Sequence, residues 1–240
     1  MRYPILMYHH IRQLPEATDP LRGLSVDPAT FARQMRLLKR LGFQGLSMRD
    51  LQPYLTGARG GEPNDSRHRV FGITFDDGYS NVLTNAMPVL NELGFTATCY
   101  FVAGRLGGEN DWDAHLETQR ARLMYREELL TWMRHGHEVG SHTVDHLSLP
   151  DVSMASAAQQ VIDAKRRLED ICNARVASFC YPYGNVNRQV RDLVERAGYD
   201  NATTTRRGRV SPDDDPFTLA RITVAAGVGP YRLLYKCLTV

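Results

Sequence analysis

The chain has 240 residues, 42% of them apolar and 23% charged, with 29 Lys and Arg against 27 Asp and Glu for a net charge of +2. These values exclude a disordered, fibrous or low-complexity chain, and a charge so near zero gives no reason to expect nucleic acid or an anionic membrane as a partner. No apolar run approaches the roughly 18 residues that span a bilayer.

The first residues read Met-Arg-Tyr-Pro-Ile-Leu-Met-Tyr-His-His. The apolar part is too short for a signal-peptide core and no small-residue cleavage site follows it, so it reads as a strand over 5–8 and predicts a cytoplasmic chain. Asp27 caps and Pro28 opens a helix to Leu41, with Phe31, Met35 and Leu38 on one face. A strand over 43–46 follows, and Ser47 caps a short helix ending at Leu55. A strand over 70–75 leads to a helix over 79–93 that Gly94 stops. Next come a strand over 96–102, a helix over 126–135 stopped by Gly136, and a strand over 138–141. Ser156 and Gln159 resemble a capping box for a helix running to Ile171. The series ends with a strand over 177–181, a helix over 187–197 closed by Gly198, and strands over 201–204 and 219–224.

Two stretches lack a pattern: the polar, Gly-rich 57–69, and 103–125, which carries Trp112, His115 and Tyr125. No repeat or linker divides the chain, so residues 1–240 read as one domain. The four cysteines, Cys99, Cys172, Cys180 and Cys237, form no C-x-x-C pair and read as buried free thiols. Strands alternating with helices predict parallel β-α-β units. Seven or eight such units in this length predict a single-domain α/β fold, a barrel of about seven parallel strands, with chemistry at the carboxyl ends of the strands.

Three motifs sit at those ends. The strand over 70–75 runs into Asp76-Asp77-Gly78. Neighbours in a regular strand point to opposite faces, so both carboxylates reach one site only if the chain leaves the strand there, and Gly78 permits that turn. Adjacent buried carboxylates repel, and a cation or a shared proton relieves the repulsion; the plain alternative is an exposed turn. The strand over 138–141 leads into Ser141-His142-Thr143-Val144-Asp145-His146. Two imidazoles four residues apart, together with a carboxylate, make an open metal site with positions left for water. The third motif, Cys180-Tyr181-Pro182-Tyr183-Gly184, is a constrained turn able to present backbone N–H groups to an oxyanion, or simply a turn.

Together and in this order, Thr74-Phe75-Asp76-Asp77-Gly78, His142-x-x-x-His146 and Pro182-Tyr183-Gly184 resemble the polysaccharide deacetylase family, carbohydrate esterase family 4. The resemblance runs from about Pro4 to Val224 and implies a distorted (β/α) barrel. It implies Asp76 as general base, Asp77, His142 and His146 as ligands of a divalent metal, usually Zn2+ with Ni2+, Co2+ or Fe2+ able to serve, and the Tyr183 backbone N–H as oxyanion donor. The chain departs from the common pattern in three places. Cys180 stands where the family often has a base-orienting arginine, no clear fourth motif is present, and Leu219-Ala220-Arg221-Ile222-Thr223 lacks the family's histidine general acid. Asp213-Asp214-Asp215 sits in a turn and looks unrelated to the fourth motif.

The departures resemble the poly-N-acetylglucosamine deacetylase branch, which begins with a Tyr-His strand; here that pair is Tyr8-His9. His9 is therefore expected as general acid, and His10 is expected to point away if the strand continues regularly. Arg221 is expected as the partner of Asp76, with Arg206 and Arg207 as rivals. The implied activity is metal-dependent removal of N-acetyl groups from an acetylated amino sugar or glycan, with no nucleic-acid partner. A small-molecule amidase and a catalytically inactive glycan-binding module are the alternatives.

Overall fold

The computed structural model describes residues 2–58, 69–116 and 120–240. Among the described residues the strands are β1 (Ile5–Tyr8), β2 (His10–Ile11), β3 (Ser25–Val26), β4 (Gln44–Leu46), β5 (Val70–Phe75), β6 (Thr98–Phe101), β7 (Glu138–Ser141), β8 (Ser178–Cys180), β9 (Asn201–Arg207) and β10 (Leu219–Thr223). The order β1-β10-β9-β8-β7-β6-β5 closes through β5 onto β1, giving a ring of seven parallel strands, as the alternating pattern predicts. β2 and β3 form a separate parallel pair.

The distortion of the barrel has a simple cause. A strand has two edges, and β1 occupies one edge of β5 from Gly72 to Phe75. β4 and β6 therefore share the other. β4 pairs with Val70–Gly72, and β6 pairs only with Thr74 and Phe75. The far side of β4 meets the approach to β6, where the Thr96 N–H donates to the Gly45 carbonyl at 3.1 Å. An extra strand is thus wedged in at the amino ends, while seven strands surround the carboxyl ends.

Among the described residues, seven α-helices cover the ring: α1 (Pro28–Arg40), α2 (Met48–Leu55), α3 (Met87–Leu93), α4 (Arg126–Arg134), α5 (Met154–Cys172), α6 (Arg188–Arg196) and α7 (Pro230–Thr239). Asp27 and Ser47 cap α1 and α2 as expected, their side chains accepting from the Thr30 and Asp50 N–H groups. Three expectations need correction. α5 begins earlier than the Ser156 capping box implied: Ser153 is the cap and accepts from Ser156 N–H, because it is the last extended residue before the helix. The helix over 79–93 begins as a π-helical turn over Val82–Ala86 before α3. α7 carries the usual signs of a helix, Gly229 before Pro230 with Leu233 and Cys237 buried on one face, and the pattern reading missed it. The four cysteines are free and buried. No described helix is long and apolar enough to cross a membrane.

One buried histidine on the barrel wall makes stability depend on pH. His137 stacks on Trp132 with ring centroids 4.2 Å apart, and its Nε2 meets Asn91 Oδ1 at 3.1 Å. Burial, followed by the charges of His135 and Arg49, pushes its pKa down from 6.5 to about 4. Between those values the unfolded chain holds a proton that the folded chain excludes. Stability from this group is therefore present above pH 6.5 and is lost as pH falls through 4. Urea unfolding at pH 7 and pH 4.5 should differ by about 2–3 kcal/mol more in the parent than in His137→Gln. An equal difference in the two proteins would show that His137 titrates normally.

Candidate active site

The three motifs meet at the carboxyl ends of β5, β7 and β8. The chain leaves β5 through two successive positive φ angles, 74° at Asp77 and 77° at Gly78. This turns both carboxylates to the same side. A Cβ at Gly78 would stand 2.8 Å from the Phe101 ring, so glycine serves the packing as well as the turn. Among the described residues, the non-glycine positions at positive φ are Asp77, Thr143, His146, Tyr183 and Asn173. Asn173 is a helix C-cap. The other four lie in the three motifs, and each costs on the order of 1–3 kcal/mol that the surrounding fold must hold.

Asp76 is buried and gripped by Arg221 of β10. Arg221 Nη1 and Nη2 donate to Oδ1 and Oδ2, both at 2.7 Å, in a bidentate fork. Arg221 is itself 0% exposed. It is held by the Thr204 carbonyl at 2.9 Å through Nε and by Thr74 Oγ1 at 3.0 Å through Nη1. Burial pushes the Asp76 carboxyl up, but the charge and hydrogen bonds of Arg221, followed by the charges of His9 and His142, hold it below the usual carboxylate range. Arg221 is raised in turn: burial lowers it, and Asp76 more than offsets that. The rivals do not reach Asp76. Arg206 donates to the Thr218 carbonyl, and both Arg206 and Arg207 are exposed.

Cys180 fills the space beside this pair. Its Sγ is 3.6 Å from Asp76 Oδ2 and 3.2 Å from Arg221 Nη2. A thiol is small enough to leave room for a guanidinium arriving from β10.

Asp77 faces the two histidines. Its Oδ1 is 3.3 Å from His142 Nε2 and 3.4 Å from His146 Nε2. This oxygen is buried and makes no hydrogen bond. One ligand atom from each of the three residues lies within 4.8 Å of the others. His142 Nδ1 meets the Cys180 carbonyl at 2.7 Å. A carbonyl only accepts, so Nδ1 carries the proton and the Nε2 lone pair faces Asp77. Two imidazole nitrogens and one carboxylate, with an orphaned oxygen between them, fit a divalent metal. Burial pushes the Asp77 carboxyl up, and protons on His142 and His146 facing it would bring it well below its ordinary range.

His9 stands on the other side of Asp76, with Nε2 at 3.8 Å from Oδ2, near but not hydrogen-bonded. His10 is turned to a different neighbourhood. It is buried, its Nδ1 meets Asn81 Nδ2 at 3.0 Å, and its ring lies over Tyr79 at 3.6 Å. Burial pushes its pKa well down, Arg12 and His9 add to this, and Asp77 opposes it.

The Pro182-Tyr183-Gly184 turn closes the third side. Tyr183 has φ 60° and ψ 1°, and its ring stands edge-on to His146 at 4.7 Å. A Cβ at Gly184 would fall 2.1 Å from Thr205 Oγ1, so the turn packs against β9 too closely for any side chain there.

One contributor belongs to none of the three motifs. Trp112 stacks on His146 with centroids 4.5 Å apart and 24° between planes. It comes from the patternless 103–125 stretch, of which 117–119 lie outside the described residues. That stretch is tied to the Asp-Asp-Gly turn by Met124 N–H to the Gly78 carbonyl at 2.8 Å. The other patternless stretch, 57–69, falls almost wholly outside the described residues. Asp213-Asp214-Asp215 is structural, with Asp215 paired to Arg191 and Asp214 accepting from Ser211 N–H.

A seven-stranded parallel barrel carrying a carboxylate–arginine pair beside a carboxylate and two histidines defines a class of hydrolase barrels. The sequence profile of the polysaccharide deacetylase family matches residues 64–202, and the chain belongs to that family. It is 28% identical over 227 residues to the protein YxkH of Bacillus subtilis (strain 168), covering 95% of this chain and 73% of that one. It is 22% identical over 231 residues to the poly-beta-1,6-N-acetyl-D-glucosamine N-deacetylase of Staphylococcus aureus (strain MSSA476), covering 92% and 78%. Its fold is similar to that of the Streptococcus pyogenes deacetylase PplD, solved in complex with acetate, with a TM-score of 0.83 at 24% identity over 99% of this chain and 98% of that one.

Proposed function

We propose that the chain is a metal-dependent de-N-acetylase that hydrolyses the acetamide of N-acetylglucosamine units in a glycan, releasing acetate and a free amine. The observation that carries this reading is the pairing of the Asp77–His142–His146 cluster with an Arg221-held carboxylate on the adjacent residue, Asp76. Asp77, His142 and His146 would hold the metal, zinc first among the candidates, and it would supply Lewis-acid polarisation of the acetyl carbonyl and a more acidic water.

The chain's own residues do the rest. Asp76, kept ionised by Arg221, takes the proton of the attacking water as general base. Arg221 is a positioning residue: its fork fixes the plane of the carboxylate. The Tyr183 backbone N–H faces the developing oxyanion, and a well-placed donor of this kind contributes about 3–4 kcal/mol. His9 gives a proton to the departing amine, its place beside Asp76 suiting the reacting centre. Trp112 and Tyr183 wall His146 and keep bulk water from it. The glycan substrate is supported by the name of the Staphylococcus aureus relative.

The test is acetate release from chitooligosaccharides and from poly-β-1,6-N-acetylglucosamine, with the protein stripped by chelator and reloaded with zinc, nickel or cobalt. Release should vanish on stripping and return on reloading. His142→Ala should lose both bound metal, by elemental analysis, and turnover. Metal retained at full stoichiometry in His142→Ala would overturn the ligand assignment. Metal-independent release would overturn the reading as a whole.

A further inference from the structure

The net charge of +2 is unevenly spread. α1 and α7 pack side by side on the outside of the barrel. Together they carry Arg33, Arg36, Lys39, Arg40, Arg232 and Lys236 and not one carboxylate. A cavity of about 380 Å³ lies between them, walled by Arg33, Arg36 and Arg40 from α1 and by Pro230 and Tyr231 from α7. Arg36 is paired with Glu92 at 2.7 Å. Among the described residues, Arg33, Arg40 and Arg232 have no carboxylate within ion-pair distance.

α7 is apolar on two faces. Leu233 and Cys237 are buried against the barrel. Tyr231, Tyr235 and Leu238 are 79%, 66% and 54% exposed, the three most exposed large apolar side chains among the described residues. Their spacing of four and three places them on one stripe. An exposed stripe of this kind, with the unpaired Arg33 and Arg40 beside its Tyr231 end, is a poor match for water. A polyanion such as nucleic acid would engage the arginines but leave Leu238 without a partner. The boundary of a bilayer offers both halves: phosphates for guanidinium groups, and a polar-to-apolar step for tyrosine rings and leucine.

We propose that the α1–α7 face docks on the surface of an anionic lipid bilayer. α7 follows β10, whose carboxyl end borders the candidate site, so docking would hold the mouth of the barrel close to the membrane plane. A near-zero net charge does not oppose this, because attraction within a Debye length depends on local charge. Nothing in this surface depends on the deacetylase reading.

The test is co-sedimentation of the full chain with phosphatidylcholine vesicles, with and without phosphatidylglycerol. Binding to the anionic vesicles, little to the neutral ones, and release by high salt are expected. Arg33→Gln/Arg40→Gln should weaken partitioning by about fivefold per arginine. Tyr231→Ser/Tyr235→Ser/Leu238→Ser should weaken it through the apolar half. All five side chains are exposed, so circular dichroism and acetate release from a dissolved oligosaccharide should be unchanged. Equal binding to both vesicle types, no binding, or variants that bind like the parent would overturn the proposal. Tighter binding to duplex DNA than to anionic vesicles would also overturn it, assigning the face to a polyanion instead.

Discussion

Asp76→Asn is expected to lower kcat for acetate release by about 10²–10⁴-fold, the range a general base contributes. The change is nearly isosteric and leaves Asp77, His142 and His146 untouched, so metal content should stay at the parent level. It is not neutral for stability. The asparagine oxygen can still accept from one arm of the Arg221 fork, but its amide nitrogen would face the other arm donor to donor. Arg221 would also keep its charge at 0% exposure with no counter-charge. Removing one partner of a buried pair costs about 3–5 kcal/mol. Turnover and metal content must therefore be measured well below the melting temperature. Turnover within tenfold of the parent, in folded and metal-loaded Asp76→Asn, would remove Asp76 from the role of base.

The second large effect is at Arg221. Arg221→Ala leaves the Asp76 carboxylate buried without its fork and should destabilise the fold by about 3–5 kcal/mol, read by urea denaturation. Arg221→Lys separates charge from geometry. It restores a point charge but no planar pair of donors. Stability should recover in part, while kcat stays well below the parent because the carboxylate plane is no longer fixed. The double variant Asp76→Asn/Arg221→Met removes both charges. It should recover most of the stability and none of the activity, since apolar replacement of a buried ion pair is often neutral or better. If Arg221→Lys restored stability and kcat together, Arg221 would be a structural counter-ion only. If the double variant were as unstable as Arg221→Ala, the cost would lie in packing around Tyr100, whose ring centre is 5.9 Å from the guanidinium carbon.

Much of the site is legible in the sequence alone. Asp76-Asp77-Gly78 follows the largely apolar strand Val70–Phe75, and His142 and His146 follow the short buried strand Glu138–Ser141, so both motifs fall at carboxyl ends by local pattern. The turn needed at Asp77 was legible as well, since a strand cannot aim two neighbours at one point, and positive φ at Asp77 and Gly78 is how the chain meets that need. Cys180 was visible as a departure but not as the gap that admits Arg221.

Alternating apolar strands and capped helices are local facts: each depends on residues a few positions apart, and most of the barrel followed from them. α7 carries the same local signals, Gly229, Pro230 and the Leu233–Cys237 face. Other features lay beyond any local pattern. The resemblance offered Arg221, Arg206 and Arg207 as partners of Asp76, and the fold chose Arg221 across 145 positions of sequence; β4 is wedged between β5 and the approach to β6, and Trp112 lies on His146 from a stretch with no periodicity. The arginines of α1 border the exposed tyrosine of α7 only because barrel closure brings the two ends of the chain together. Periodicity tells a segment which of its faces to bury. It does not tell it which segment will cover that face, and only the closed barrel decided which distant charges, rings and thiols became neighbours.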